Sequence, residues 1–313
     1  MYLSAVAGFV LLFGGGEFLV RGAVQVSRRL GLSPLLIGMT VVAWCTSAPE
    51  LVVSLGAALE GHSDIAVGNV VGSNIFNILG VLGIAAVISP MLVDPRALRR
   101  DTAAMVASAL ALALVAMTGE IGRAPGVLLL VGLALYVVFS YRSEVRRPSL
   151  PSASLHEHES AEIRVTGPAM SGIVYLLIGL VALVIGSQSL MSGASEIART
   201  FGVPEAVIGL SLVAVGTSLP ELATSIIAAL RRHPDVAVGN VVGSNIFNIL
   251  GILGITALIR PVGVAEQIAS IDVWVMVGAS LLMVPLLLWK GRVGRFVGVF
   301  LSIAYVAYLV ALF

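Results

Sequence analysis

A stretch of seventeen residues occurs twice in this chain and constrains its fold more than any other feature. The sequence DIAVGNVVGSNIFNILG begins at Asp64, and DVAVGNVVGSNIFNILG begins at Asp235, with one difference between them. The copies belong to longer segments, 41–90 and 212–261, which align without a gap and are identical at 34 of 50 positions. In this alignment each residue of the first half corresponds to the residue numbered 171 higher. A duplication of this length predicts two structurally equivalent units with the same helices in the same order.

The composition indicates that both units lie in a membrane. Hydrophobic residues make up 58% of the chain and charged residues 11%, whereas soluble domains carry about 25% charged residues. Ten apolar segments follow one another, and most are long enough to cross a bilayer. They span residues 3–26, 34–59, 65–89, 101–118, 125–141, 170–193, 204–230, 236–259, 270–289 and 294–312. We therefore expect an all-α polytopic membrane protein with ten transmembrane helices.

The repeat divides these ten helices into two groups of five. The first group occupies residues 1–141, with its repeated segment at about 34–90, and the second occupies 169–313, with its repeated segment at about 204–261. Residues 142–168 are rich in Pro and Ser and are expected to form a linker with little structure of its own. Because five is odd, the second group enters the membrane inverted relative to the first, as in many secondary transporters.

The positions of the basic residues predict the orientation. If the N-terminus and the C-terminus lie outside and the 142–168 linker is cytoplasmic, fourteen Lys and Arg residues fall inside and three outside. This bias agrees with the positive-inside rule. We expect a multi-pass protein of the plasma (inner) membrane whose surroundings are the lipid bilayer. The net charge of +1 argues against a nucleic-acid partner, and we expect no obligate protein partner.

Two apolar segments carry a carboxylate near their middle. The sequence TSAPE ends at Glu50 and the sequence GTSLPE ends at Glu221. A carboxylate at that depth costs about 2.5–3.5 kcal/mol on insertion scales, and proline breaks or kinks a helix. One interpretation is a capping box at a helix restart, with Ser47 and Ser218 as the caps. The symmetric charges at the membrane midplane favour a second interpretation, in which broken helices line a cation site, and both can hold together.

Further polar residues follow each carboxylate at the same spacing. Ser73 follows Glu50 at the distance at which Ser244 follows Glu221, and Asn77 and Asn248 come one helical turn later on the same face. Hydroxyl, amide and carboxylate oxygens suit hard cations such as Ca²⁺ and Na⁺, and two carboxylates balance one Ca²⁺ or two Na⁺. Four further asparagines are symmetric and could support the ligands or hydrogen-bond between helices: Asn69, Asn74, Asn240 and Asn245.

These motifs resemble the sodium/calcium exchanger family of the cation/calcium antiporter superfamily, in its prokaryotic type. The resemblance rests on 46-TSAPE-50 with 72-GSNIFN-77 and on 216-GTSLPE-221 with 243-GSNIFN-248. It implies two inverted five-helix repeats with broken helices at the midplane, and it implies that the first and sixth helices slide against the others. It also implies the following ligands for Ca²⁺ and Na⁺: Glu50, Glu221, Thr46, Thr217, Ser47, Ser218, Ser73, Ser244, Asn77, Asn248 and the carbonyls of Ala43 and Ala214.

Two residues depart from the pattern of the family. Cys45 stands where the family usually has Gly, so the helix break is expected to pack differently in the first repeat. Asn248 stands where many relatives have Asp, including potassium-dependent ones. The core charge therefore remains at −2, which suits Ca²⁺ and argues against potassium co-transport.

The function that we expect is exchange of Na⁺ for Ca²⁺ by alternating access, with electrogenic Ca²⁺ extrusion. The alternative is exchange of Ca²⁺ for protons on the same carboxylates. A channel is disfavoured because its filter usually needs several subunits. An enzyme is not expected, since no catalytic motif occurs. We expect no cofactor, with Ca²⁺ and Na⁺ as transported ions only.

Overall fold

A computed structural model describes residues 1–93, 95–146, 170–202, 214–288 and 292–312 of the chain, and these residues are mostly helical. The first half contains the helices α1 (Tyr2–Leu30), α2 (Pro34–Thr46), α3 (Ala48–Glu60), α4 (Ser63–Ile88), α5 (Pro95–Ala116) and α6 (Arg123–Arg146). The second half contains α7 (Met170–Thr200), α8 (Ala214–Thr217), α9 (Leu219–Leu230), α10 (Pro234–Ile259), α11 (Val273–Leu288) and α12 (Arg295–Leu312). The class that the sequence predicts, an all-α membrane protein, is confirmed.

Several of these helices are suited to a bilayer. Within the described residues, seven helices are long and apolar enough to cross a membrane, and the count rises to eight if a bent pair is taken as one span. That bent pair is α2 with α3, which meet at an angle of 45°. The predicted segment 204–230 lies partly outside the described residues, and so does most of the predicted linker, of which 142–146 continue α6.

The helix breaks fall at the two serines of the carboxylate motifs. Ser47 lies between α2 and α3, and Ser218 lies between α8 and α9. Pro49 and Pro220 stand in the first turns that follow, where a missing N–H is tolerated. Among the described residues, however, neither serine hydroxyl caps its own helix. The capping-box interpretation is therefore wrong for these side chains, because the hydroxyls form other hydrogen bonds.

Two long helices, α4 and α10, form the centre of the molecule. Both are mostly buried, and both contain a π-helical turn, Asn77–Leu82 in α4 and Phe247–Leu253 in α10. Single π-helical turns inside α-helices occur frequently at functional sites. The acidic residues Asp64 and Asp235, which the sequence suggests as caps of these helices or as charges at the mouth, lie in their first turns. The cap positions belong to His62 and His233.

An outer layer is formed by α1 and α7, which pack against each other along their length. Glycines at seven-residue spacing allow this close approach. At Gly15 and Gly179, for example, an added Cβ would come closer than 3.0 Å to the backbone of the opposite helix. Small residues of this kind let transmembrane helices pack backbone to backbone. The layer is tied to the centre by Glu17 of α1, which pairs with Arg21 on its own helix and with Arg231 after α9.

Two short antiparallel ladders join the two halves of the described chain. Met91–Leu92 (β1) pairs with Arg292–Val293 (β4), and Glu120–Ile121 (β2) pairs with Val262–Gly263 (β3). In the alignment of the two halves, β1 corresponds to β3, and β2 overlaps β4. Each ladder therefore pairs a loop of one half with a non-equivalent loop of the other half. Sequence reasoning did not predict these ladders.

Candidate functional site: a buried carboxylate pair

The two motif carboxylates meet in the interior of the molecule. Glu50 lies in the first turn of α3 and Glu221 in the first turn of α9, and both side chains are fully buried. Each accepts a hydrogen bond from the serine of the other half: Ser218 Oγ donates to Glu50 Oε1 at 2.9 Å, and Ser47 Oγ donates to Glu221 Oε1 at 2.9 Å. The two helix breaks therefore face each other across one site.

Several polar atoms of this site lack a hydrogen-bond partner within the described residues. They are Glu50 Oε2, Glu221 Oε2, Asn77 Oδ1 and Nδ2, Asn248 Oδ1 and Ser244 Oγ. Leaving a buried polar atom unsatisfied costs about 1–3 kcal/mol, and more for a charged group, so a cluster of such atoms is unusual in a folded protein. All but one are oxygens, and two belong to carboxylates. This donor set fits a hard cation as the transported substrate.

Two asparagines hold the helix breaks in place. Asn69 of α4 donates to the carbonyl of Glu50 at 3.3 Å and to Ser54 Oγ at 2.9 Å, while its Oδ1 accepts from Thr217 Oγ1 at 3.3 Å. The side chain thus connects the carboxylate helix of one half to the threonine of the other. Of the two roles that the sequence leaves open for this asparagine, it takes the hydrogen-bonding one.

The same pattern recurs in the second half. Asn240 of α10 donates to the carbonyl of Glu221 at 3.3 Å and to Ser225 Oγ at 3.1 Å, and its Oδ1 accepts from Thr46 Oγ1 at 3.0 Å. Sequence reasoning missed Ser54 and Ser225, although each lies one helical turn after its glutamate and the two are equivalent in the repeat. That coincidence is the signal that could have identified them.

The remaining predicted residues on α4 and α10 lie in the same region with less symmetry. Ser73 Oγ lies within hydrogen-bond distance of Ser218 Oγ, at 3.1 Å. Asn248 Nδ2 donates to Asn74 Oδ1 at 3.1 Å, whereas Asn245 Nδ2 donates within its own helix to the carbonyl of Val241 at 2.7 Å. Both polar atoms of Asn77 lack a partner among the described residues, whereas Asn248 lacks one only at Oδ1. The amide of Asn77 in the first half is therefore less engaged than the amide of Asn248.

The two predicted backbone ligands are the carbonyls of Ala43 and Ala214, and the structure describes hydrogen bonds of the first alone. The carbonyl of Ala43 accepts from the N–H of Ser47 at 3.0 Å and from Thr46 Oγ1 at 3.2 Å. Ala214 begins α8, and no hydrogen bond of its carbonyl is described. Their roles as ligands stay predictions.

Cys45 does not change the geometry of the helix break. The backbone angles are φ −84° and ψ 6° at Ser47, and φ −92° and ψ 9° at Ser218. The backbone is therefore alike at both breaks, whereas the packing differs as expected: an added Cβ at Gly216, the equivalent of Cys45, would come closer than 3.0 Å to the side chain of Met191. The difference lies beside the break, where Ser187 of α7 donates to the carbonyl of Gly216 at 2.7 Å.

We predict that Ser47→Ala and Ser218→Ala each weaken cation binding without unfolding the protein. Each removes a hydroxyl that donates to a carboxylate, an interaction worth about 1.5–3 kcal/mol. The apparent cation affinity should fall by a factor of about 10 or more, measured by isothermal titration of the purified protein. Ser108→Ala is the matched control, because the hydroxyl of Ser108 bonds only to its own helix at Ala104 in the described structure. An unchanged affinity in both motif variants would contradict the prediction.

Comparisons with known proteins agree with this geometry. The family model for the sodium/calcium exchanger protein matches residues 1–142 and 171–313. The chain belongs to the sodium/calcium exchanger family. The putative antiporter CaxA of Alkalimonas amylolytica is 39% identical, over 99% of this chain and 98% of its own. The sodium/calcium exchanger MaX1 of Methanosarcina acetivorans is 33% identical, over 100% of this chain and 98% of its own.

A solved structure shares the fold. The sodium-calcium exchanger NCX_Mj, in crystals soaked with Na⁺ and Ca²⁺, superposes with a TM-score of 0.85 at 30% identity, covering 99% of this chain and 97% of that chain. The sodium/calcium exchanger family consists of antiporters rather than enzymes, and its ions are Na⁺ and Ca²⁺. With its long apolar helices, the chain is an integral multi-pass membrane protein of this family.

Proposed function

We propose that the protein exchanges Na⁺ for Ca²⁺ across the membrane by alternating access. The observation that carries the proposal is the pair of buried carboxylates, Glu50 and Glu221, each bonded to a serine of the opposite half and each with one oxygen that lacks a described partner. Sliding of α1 and α7, the first and sixth helices, against the others would open this site to one side of the membrane at a time.

The proposed ligands are the residues that the sequence singles out. The carboxylates of Glu50 and Glu221 are the central ligands, because the buried site offers no other negative charge among its described members. Hydroxyls, amide oxygens and backbone carbonyls complete the shell. These ligands are Thr46, Thr217, Ser47, Ser218, Ser73, Ser244, Asn77, Asn248, Ala43 and Ala214. Within the described residues, no cluster of three His, Cys, Asp or Glu side chains competes as a metal site.

The charge of the site favours competition between the two ions. Two carboxylates carry −2, which one Ca²⁺ or two Na⁺ neutralise, so either ion can displace the other. If a third Na⁺ crosses in each cycle, the exchange moves one net charge and the membrane potential drives Ca²⁺ extrusion. No further cofactor is part of this proposal.

We extend the proposal to the membrane topology. Ten transmembrane helices in two inverted groups, 1–141 and 169–313, would place the ladders on opposite faces, β1 with β4 inside and β2 with β3 outside. The pairing of non-equivalent loops supports this inversion, since a parallel duplication would bring equivalent loops to one face. The basic residues then place the 142–168 linker in the cytoplasm, both termini outside, and the protein in the inner membrane.

Exchange of Ca²⁺ for protons is the second candidate. It is favoured by the complete burial of two carboxyl groups that have no described basic partner, because protons neutralise such a pair as well as cations do. The surrounding hydroxyls favour Na⁺, since a proton needs no shell of oxygen ligands.

Electrogenic exchange predicts a dependence on the membrane potential. Proteoliposomes loaded with Na⁺ should accumulate ⁴⁵Ca²⁺, and an inside-positive potential, set with K⁺ and valinomycin, should increase the accumulation. One net charge corresponds to about 2.3 kcal/mol per 100 mV, or about fifty-fold at equilibrium. Vesicles loaded with choline are the control and should not accumulate Ca²⁺. Accumulation that does not change with the membrane potential would show electroneutral exchange. Uptake into choline-loaded vesicles would indicate a channel.

A further inference from the structure

An apolar groove opens on the outer surface of the molecule, away from the carboxylate motifs. It has a volume of about 400 Å³ and lies between the last turns of α4 and the first half of α12. Its lining residues are Ile84, Val87, Ile88, Val299, Ser302, Ile303 and Val306. The helices cross beside it at Gly83 and Gly298, where an added Cβ on Gly298 would come closer than 3.0 Å to the backbone of α4.

The groove opens on an apolar surface that is suited to contact the bilayer. On α12, the helix that forms one wall, only a small part of the surface is buried in the molecule, and its composition is that of a membrane span. Val299, Ile303 and Val306 are exposed on it. An aliphatic groove on such a surface fits an acyl chain. Wall atoms without a neighbour lose dispersion contacts, and an acyl chain in the groove would restore them.

One end of the groove carries positive charge. Arg295 precedes Val299 by four residues and Val306 by eleven, so it lies on the face of α12 that lines the groove. Arg292 lies nearby in β4, paired with Leu92 just after α4. Within the described part of the chain, neither arginine makes an ion pair or a side-chain hydrogen bond, and the side chain of Arg295 is exposed. Basic residues near a membrane surface attract anionic lipids, with about 1 kcal/mol for each residue.

The repeat provides an internal comparison. In the alignment of the two halves, Arg292 corresponds to Ile121 and Arg295 to Ala124, so the equivalent face lacks basic residues at these two positions. It carries Arg123 and Arg260 instead, and Arg260 donates to the carbonyl of Leu59. The lining positions on the two faces are similarly aliphatic, for example Val87 with Leu258. Among the described residues, the α4–α12 face therefore has two arginines without an ion pair or side-chain hydrogen bond, where the equivalent face has one.

We propose that this groove binds an anionic phospholipid. One acyl chain lies between α4 and α12, and the phosphate group lies against Arg295 and Arg292. The positive charge at the groove favours an anionic lipid over a zwitterionic one. It also favours an anionic lipid over a second copy of this chain, because the surface that a second copy would present here is apolar and offers no negative charge. The proposal concerns lipid binding and holds whichever cation the protein transports.

The test is native mass spectrometry of the delipidated full-length protein titrated with phosphatidylglycerol or phosphatidylcholine of the same acyl chains. Wild type should bind phosphatidylglycerol several-fold more tightly. Arg295→Gln should weaken phosphatidylglycerol binding about fivefold, which corresponds to one basic residue, and leave phosphatidylcholine binding unchanged. Arg123→Gln, at the start of α6 on the equivalent face of the other half, is the matched charge control and should change phosphatidylglycerol binding less than Arg295→Gln does.

A second pair of variants tests the groove itself. Val306→Trp fills it and should lower phosphatidylglycerol binding, whereas Val310→Trp, one turn farther along the exposed face of α12, should not. Equal affinity for both lipids in wild type would overturn the proposal, and so would an unchanged affinity in Arg295→Gln. A loss of self-association in Val306→Trp, without a change in lipid binding, would assign the groove to a dimer instead.

Discussion

Glu50→Gln and Glu221→Gln are each expected to lower Na⁺-driven Ca²⁺ uptake by more than about 100-fold. Both carboxylates are fully buried, and each is bonded to the serine of the other half. Removing one charge leaves a divalent cation opposite a single carboxylate. Removal of one partner from a buried ionic interaction costs about 3–5 kcal/mol. Uptake of ⁴⁵Ca²⁺ into proteoliposomes that contain equal amounts of each variant measures the loss.

The matched control for this prediction is Glu60→Gln. Glu60 is the last residue of α3, the helix that carries Glu50 in its first turn, and its side chain is exposed, so its removal should leave uptake close to the wild-type value. Both glutamine variants should still elute as a single species from size-exclusion chromatography, because glutamine preserves the shape of the side chain. Uptake that survives in either motif variant would show that the carboxylate is not a central ligand.

Gly243→Ala is expected to destabilise the protein, although alanine is normally the better helix former. An added Cβ at Gly243 of α10 would come closer than 3.0 Å to backbone atoms of Met39 in α2. Overpacking of this kind typically costs about 1–3 kcal/mol. Displacement of α2 would also shift Thr46 and Ser47, so we expect transport to fall together with the melting temperature of the purified protein.

Gly278 supplies a control for this prediction. It lies inside α11, it is exposed, and an added Cβ there meets no described atom within 4 Å. Gly278→Ala should therefore be neutral or raise the melting temperature, because alanine in a helix interior is favoured over glycine by about 1 kcal/mol. Similar melting temperatures for the two variants would contradict the close packing of α10 on α2.

Much of this architecture could be predicted from the sequence because two of its signals are strong. Hydropathy located the fully described helices with bounds that differ by at most seven residues, and the predicted segment 34–59 agrees well with Pro34–Thr46 and Ala48–Glu60. The duplication makes Glu50 and Glu221 equivalent positions, which indicates from the sequence alone that they belong together. A carboxylate at the centre of an apolar segment is costly unless it faces a cation or a water-filled cavity, so its place in a site could be inferred.

Contacts between the two halves could not be predicted. The local pattern offered a capping role for Ser47 as one interpretation, but its hydroxyl donates to Glu221, 174 positions away. A pairing of that kind depends on how the halves pack, which no local pattern records. The ladders were missed for a related reason, since strands of two residues have no periodicity.

Departures from symmetry between the two halves could not be predicted from the sequence either. Asn77 and Asn248 stand in identical sequences, and yet only Asn248 donates to the neighbouring long helix among the described contacts. Identical sequences in the two halves thus acquire different neighbours, and the two halves of the site are not interchangeable.

The most direct test of the central claim compares two gradients on the wild-type protein. Uptake of ⁴⁵Ca²⁺ is measured in proteoliposomes with an outward Na⁺ gradient at equal pH, and in proteoliposomes with an outward proton gradient and no Na⁺. Sodium/calcium exchange at the Glu50 and Glu221 site predicts uptake with the Na⁺ gradient and none above background with the proton gradient. Uptake driven by the proton gradient alone would contradict this account and would establish Ca²⁺/H⁺ exchange.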